Sequence, residues 1–130
     1  MINKKSKGTN AERELIHLFW QSGWAAFRAA GSGSMRYPCP DIIAGNNVKK
    51  FAIECKTSAD TKKYLTKDEI NDLKKFSTMF GAQAWVGVRF NNLEWFFLTL
   101  EDLEETENSF AVSIELAKRK GLTFNQLIEY

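Results

Sequence analysis

Residues 66–81 carry both ends of a helix in their sequence. Thr66-Lys67-Asp68-Glu69 is a capping box, in which the threonine hydroxyl accepts from the Glu69 amide while the Glu69 carboxylate reaches back to the start of the helix. Ile70, Leu73, Phe76 and Phe80 follow at spacings of three and four, and Gly81 supplies a left-handed stop. The runs on either side do not share that period. Lys50 to Thr57 before it and Ala84 to Phe90 after it have strand length and are rich in Phe, Ile, Trp and Val. A chain that sets a punctuated helix between strands is confined to mixed α/β architectures.

The remaining elements are read the same way. A first helix is expected from Thr9 or Asn10, with Leu15, Ile16, Leu18, Phe19 and Trp20 at helical spacing, and Ser22-Gly23 ends it. Residues 24–30 have strand length and lead into Gly31-Ser32-Gly33-Ser34, a loop too glycine-rich to be rigid by itself. Residues 41–45 form a short strand after Pro40, and the Asn46-Asn47 turn pairs it with the run from Lys50 as a hairpin. Residues 94–98 make a further strand across the Asn91-Asn92 turn. Residues 101–107 read as an acidic linker or short helix, and residues 124–130 as a small terminal helix. The expected order is helix, three strands, helix, two strands, with no repeat and no internal boundary. The 130 residues divide into a flexible basic arm, 1–8, and a single domain, 9–130.

Composition narrows the chemistry. No apolar run approaches the roughly 18 residues of a membrane span, and the basic first residues lack the apolar stretch of a signal peptide. A soluble, cytoplasmic protein is expected, with no membrane partner. Cys39 and Cys55 are the only cysteines and His17 the only histidine, too few for a zinc ribbon or a disulfide scaffold. Any metal must therefore be a hard cation held by carboxylates. The net charge of +2 hides an asymmetry: residues 1–67 carry 12 Lys/Arg against 5 Asp/Glu, and residues 68–130 carry 6 against 11. The first half attracts a polyanion.

Strand alternation locates a candidate site. Along residues 51–57, Phe51, Ile53 and Cys55 point one way and Ala52, Glu54 and Lys56 the other, so Glu54 and Lys56 stand about 7 Å apart on one face. Asp41 opens the neighbouring strand and, in a hairpin, lies across from Glu54. Two carboxylates in metal-ligand reach and a lysine can hold Mg²⁺ and position a water. Glu-x-Lys alone is a common solvated edge, and Pro-Asp alone a common turn. Their conjunction on adjoining strands is what carries the signal.

Pro40-Asp41, twelve intervening residues and Glu54-Cys55-Lys56 resemble the PD-(D/E)xK nuclease pattern. More narrowly, the chain resembles the archaeal Holliday junction resolvases. Lys7 to Leu15 is similar to their first-helix signature, Arg28 to Ser34 to their serine loop, Pro40 to Asn46 to their metal-binding strand, and Phe76 to Ala82 to the end of their second helix. The likeness runs from about residue 7 to 100, and the tail after Leu103 has no counterpart in it. It implies a restriction-endonuclease-like fold, a mixed β-sheet flanked by helices. It also implies a homodimeric endonuclease that cuts four-way DNA junctions with Mg²⁺, for which Mn²⁺ can substitute. The alternatives are a nuclease of the same superfamily acting on other branched or linear DNA, and a non-catalytic DNA-binding relative.

The resemblance assigns roles to individual residues. Asp41 and Glu54 are expected as metal ligands with the Cys55 backbone carbonyl, and Lys56 as the group that orients water and offsets charge on phosphate. Glu12 is expected to complete the acidic cluster, and Ser32 to approach the scissile phosphate. Glu12 also stands three residues after Thr9, as the far half of a capping box would. Ser32 reads equally as an ordinary loop residue. Arg13 and Arg28 are either phosphate contacts or ion-pair partners. Lys4, Lys5, Lys7, Arg36, Lys62 and Lys63 are candidate contacts to the DNA backbone or solvated surface charges. Phe76 and Phe80 are candidates for the dimer interface, with core packing as the alternative.

Overall fold

The computed structural model describes residues 4–29 and 37–130, with residues 4 and 5 described by backbone only. The expected sites Ser32 and Arg36, and the side chains of Lys4 and Lys5, lie outside the described residues. A five-stranded sheet runs in the order β1 (Ala25–Arg28), β2 (Ile42–Gly45), β3 (Lys50–Ser58), β5 (Gln83–Phe90), β6 (Trp95–Leu98). The first three strands form an antiparallel meander, β3 and β5 are parallel, and β6 returns antiparallel to β5. Parallel neighbours need a crossover. Here it is β4 (Lys62–Thr66) followed by α2 (Lys67–Phe80).

Alternation on β3 divides the core into two layers. Phe51, Ile53 and Cys55 face α1 (Lys4–Gln21), packing with its Ala11, Leu15 and Phe19 and with Leu127 of α4 (Phe124–Glu129). Ala52 faces the other way, into a layer built from Ile70 and Leu73 of α2 and from Leu65, Val86, Val88 and Phe90. Val112 of β8 (Ser109–Ser113) and Ala117 of α3 (Ile114–Lys120) close that layer. β8 pairs with β4 and with β7 (Glu104–Glu105) in a second, three-stranded sheet. The structure is a mixed sheet flanked by helices, as expected. Among the described residues, no helix is long and apolar enough to cross a membrane.

The second helix has the expected ends. Thr66 and Glu69 form the reciprocal capping box, and Gly81 takes φ 79° while its amide bonds the Ser77 carbonyl. The first helix departs from expectation, because it begins at Lys4 and not at Thr9 or Asn10, so residues 4–8 are helical. Lysine is a good helix former, and one interior glycine, Gly8, costs only about 1 kcal/mol. The Lys7 ammonium also binds the Asn91 side-chain oxygen in the turn between β5 and β6. Nothing in the sequence marks this start, since the first turn holds no acidic residue. Thr9 is consequently an interior residue, and Glu12 is not part of a capping box.

Three elements, β4, β8 and α3, had no expectation behind them. β4 buries only Leu65, with its lysines and tyrosine giving little apolar signal. The acidic stretch, expected as a linker or short helix, opens as a short 3₁₀ helix over Leu100–Asp102 and continues into the short β7. α3 is short, but Ser113 caps the Leu116 amide and three basic residues fill its last turn.

Candidate active site

The hairpin of β2 and β3 brings Asp41 to Glu54. Ile42 pairs with Ile53, so Asp41, one residue before β2, lies opposite Glu54. The turn is built by Asn46, whose side-chain oxygen accepts from the amides of Val48 and Lys49 at 2.8 Å each. Asp41 is fixed at both ends: its amide donates to the Ile53 carbonyl at 3.1 Å, and its Oδ2 accepts from the Cys55 amide at 2.8 Å. Glu54 and Lys56 point to the α2 side, and Lys56 Nζ stands 3.8 Å from Glu54 Oε2.

These groups line a cleft of about 440 Å³ together with Glu12, Cys39, Cys55, Glu69, Asp72 and Leu73. Burial and the neighbouring Asp41 charge push the Glu54 carboxyl up to about 9, well into the range where it holds a proton. Asp41 is raised too, again first by burial, although the Cys55 amide and Lys56 counteract it. Two buried carboxylates that resist joint ionisation are a donor set suited to a divalent cation, which replaces the shared proton with fixed positive charge. All oxygen, they suit Mg²⁺. The residues present therefore fit the metal.

Glu12, expected to complete the acidic cluster, lines the same cleft. It reaches the cleft from α1, but its Oε1 is 3.0 Å from Arg28 Nε on β1. Burial, and secondarily the Asp41 charge, raise its carboxyl against the lowering effect of Arg28. Among the described residues no three His, Cys, Asp or Glu side chains close into a metal cage. Arg28 is thus ion-paired in this structure, while Arg13 is exposed on α1. Cys55 buries its side chain, and burial lifts its thiol well above the usual value. That leaves it a packing group. His17, the sole histidine, is exposed on α1.

An adjoining cleft of about 290 Å³ shares Glu12, Cys55 and Lys56 with the first and is lined further by Lys7, Gly8, Thr57 to Asp60 and Lys63. Alternation on β4 separates the two adjacent lysines. Lys63 turns into this cleft, whereas Lys62 pairs with Glu104 at 3.1 Å beside Glu115 and Arg119. Phe76 and Phe80 lie at the far end of α2, with ring centroids 5.2 Å apart and 29° between planes. Phe76 packs partly into the core and Phe80 is exposed.

Glu69 is the cleft residue that the sequence reading missed. Its Oε1 accepts from the Thr66 amide at 2.9 Å, completing the capping box, and its Oε2 accepts from Lys56 Nζ. The capping motif was visible, but the second oxygen's partner depends on how α2 docks against β3.

A sequence profile described as archaeal Holliday junction resolvase (Hjc) matches residues 3–130. The tail after Leu103, left without a counterpart by the sequence reading, thus lies inside the family match. The crossover junction endodeoxyribonuclease Hjc of Archaeoglobus fulgidus is 40% identical over 129 residues, covering 94% of this chain and 95% of that protein. The Hjc of Methanocaldococcus jannaschii is 34% identical over 128 residues, covering 98% and 91%. The solved structure of A. fulgidus Hjc, described as a Holliday junction resolvase, superposes with a TM-score of 0.87 at 38% identity, covering 92% of this chain and 98% of that one. With fold, cleft and these relatives in agreement, the chain belongs to the archaeal Holliday junction resolvase family.

Proposed function

We propose that this chain is a crossover junction endodeoxyribonuclease that cuts four-way DNA junctions as a homodimer, with Mg²⁺ as its metal. The observation that carries the reading is the pairing of Asp41 with Glu54 beside Lys56, in a cleft continuous with a lysine-lined one. A divalent metal accompanies nucleases of this family. Here Asp41, Glu54 and the Cys55 carbonyl would hold Mg²⁺, with Glu12 completing the acidic cluster and Mn²⁺ able to replace the ion. The bound ion supplies a water activated near neutral pH and charge to offset that developing on the phosphate.

The chain's own residues do the rest. Lys56 places an ammonium beside the carboxylates, where it orients a water and faces the phosphate. Glu12 lines the same cleft and holds Arg28, so this pair sets the charge at the α1 wall. Lys7 and Lys63 receive the neighbouring backbone phosphates in the adjoining cleft, with Arg13 a contact further along α1. Ser32, in the segment after β1, is assigned to the scissile phosphate on the resemblance alone, as Lys4, Lys5 and Arg36 are to the backbone. Lys62 is engaged by Glu104 and is a weaker candidate. The exposed end of α2, with Phe80 and Phe76, forms the contact between subunits, because paired nicks need two sites at fixed spacing. Such an enzyme works on the genome, in recombination and repair in the cytoplasm.

The test offers purified protein a synthetic four-way junction, its component duplexes and a flap, with Mg²⁺ or with chelator, and maps the nicks. Symmetric paired nicks on the junction alone, dependent on metal, are expected. Equal cutting of the duplexes would overturn junction specificity, and binding without cutting would overturn the nuclease reading.

A further inference from the structure

The carboxylate of Glu69 serves two masters on two elements. Oε1 accepts from the Thr66 amide at 2.9 Å while the Glu69 amide donates to the Thr66 hydroxyl at 3.0 Å, which fixes the side chain to the first turn of α2. Oε2 is thereby aimed at β3, where it accepts from Lys56 Nζ. Glu54 Oε2 stands further from that ammonium, at 3.8 Å, so Glu69 is its closer partner. A lysine has four side-chain torsions and a compact charge that swings freely unless something holds it. The side chains of Lys56 and Glu69 are both partly buried, at 21% and 30% exposure, so the contact is less open to screening than one between fully exposed groups.

We propose that Glu69 is a positioning residue for the nuclease reaction: the Thr66 backbone amide at the start of α2 holds its carboxylate so that the Lys56 ammonium is presented to the Asp41–Glu54 cleft. The inference rests on the nuclease reading and adds to it a second function for a helix cap. It explains why α2 must start where it does. A shift of the capping box by one residue would rotate Oε2 away from β3 by about 100°, leaving Lys56 with Glu54 alone. Because the metal ligands come from β2 and β3 and the clamp comes from α2, the site depends on the docking of the crossover helix on the sheet.

Two variants separate the cap from the clamp. Glu69→Gln has a single acceptor oxygen. Glutamine also serves in a capping box, so its oxygen can stay on the Thr66 amide while its NH₂ confronts Lys56. Thr66→Ala loses the hydroxyl of the box but keeps the backbone amide that holds Oε1. Glu69→Gln is expected to melt close to the parent and to bind a junction, in chelator, within about twofold of it. Its single-turnover cleavage at saturating junction should fall by about tenfold or more, the scale on which supporting groups act. Thr66→Ala should show the opposite split, melting lower while cleaving at close to the parent rate at a temperature well below its transition. A readout independent of cleavage is the ¹H–¹⁵N signal of the Lys56 ammonium in metal-free protein, assigned by its loss in Lys56→Arg. Held by Glu69, it should be sharp in the parent and in Thr66→Ala, and exchange-broadened in Glu69→Gln. An unchanged signal in Glu69→Gln, or cleavage by that variant within about twofold of the parent, would overturn the proposal. A parent that leaves the junction uncut sinks the nuclease reading, while the ammonium signal still decides whether Glu69 holds Lys56.

Discussion

At the scale of single residues, the site stores its catalytic potential as an electrostatic conflict between Glu54 and Asp41. Glu54 is raised from its ordinary 4.5 to about 9 by burial and by Asp41. A carboxyl with a folded-state value above its unfolded one binds extra protons in the fold, so its contribution to stability is whole below about 4.5 and is lost as pH climbs toward about 9. Asp41 is shifted in the same direction. Metal-free protein should therefore melt progressively lower between pH 5 and 9, conditions chosen to span those values. Mg²⁺ displaces the proton, so the gain in melting temperature on adding it should grow with pH. Glu54→Gln removes the burial penalty of the charge. It should raise the metal-free melting temperature at pH 8, by a few kcal/mol of stability at most, and flatten the response to Mg²⁺. The same variant, and Asp41→Asn, should abolish cleavage while keeping or tightening junction affinity, read by a mobility shift in chelator. Retained cutting above a few per cent of the parent rate would remove them as ligands. Asp41, Glu54 and Lys56 were legible in the sequence because alternation and a two-asparagine turn are local rules that fix which side chains face each other. The Glu12–Arg28 pair and the Glu69 clamp were not, since each joins a helix to a strand and depends on docking.

At the scale of elements, alternation on β4 sends its two lysines into different surroundings. Lys62 and Lys63 are indistinguishable by position in the sequence, yet one faces Glu104 and the other the cleft beside the site. Lys63→Gln should weaken junction binding and reduce the slope of log affinity against log salt by about 0.9, the value for one phosphate contact on duplex DNA. Lys62→Gln should leave the slope unchanged. Parent slopes in both variants would mean that neither lysine meets a phosphate, and slopes reduced alike would mean that both do. β4 escaped notice because its alternation is Lys-Lys-Tyr-Leu-Thr, with one buried apolar side chain, and because its partner β8 lies far along the chain. α1 shows the converse. Its apolar stripe was clear from Leu15 to Trp20, but its start was set by lysines and by Lys7 meeting Asn91, neither of which is a capping signal.

At the scale of the whole molecule, the α2 side of the sheet leaves apolar surface uncovered at one end. Phe80 is 45% exposed and Met79 80%, and Phe76 is half-buried against the core. On β1, Phe27 is 59% exposed and pairs in register with Ile43, which packs into the same layer as Phe76. These exposed apolar side chains are the surface that the proposed twofold contact between subunits would cover, burying both copies of each. The two phenylalanines do not divide the work equally. Phe76 carries core packing, so Phe76→Ala should destabilise the fold by about 2 kcal/mol, roughly half of what a fully buried Phe would lose. Phe80 is half exposed, with its ring stacked on Phe76 and the Lys50 ammonium 4.7 Å from the ring centroid and 3.1 Å from the Phe80 carbonyl. Phe80→Glu should therefore keep a folded circular-dichroism spectrum while sedimenting at half the parent mass. That monomer should still nick a junction slowly but lose the pairing of nicks, because the second strand no longer meets a site at fixed distance. A Phe80→Glu protein that stays dimeric and pairs its nicks would move the interface elsewhere. A folded monomer with unpaired nicks would tie the geometry of junction resolution to the end of the helix whose start positions Lys56.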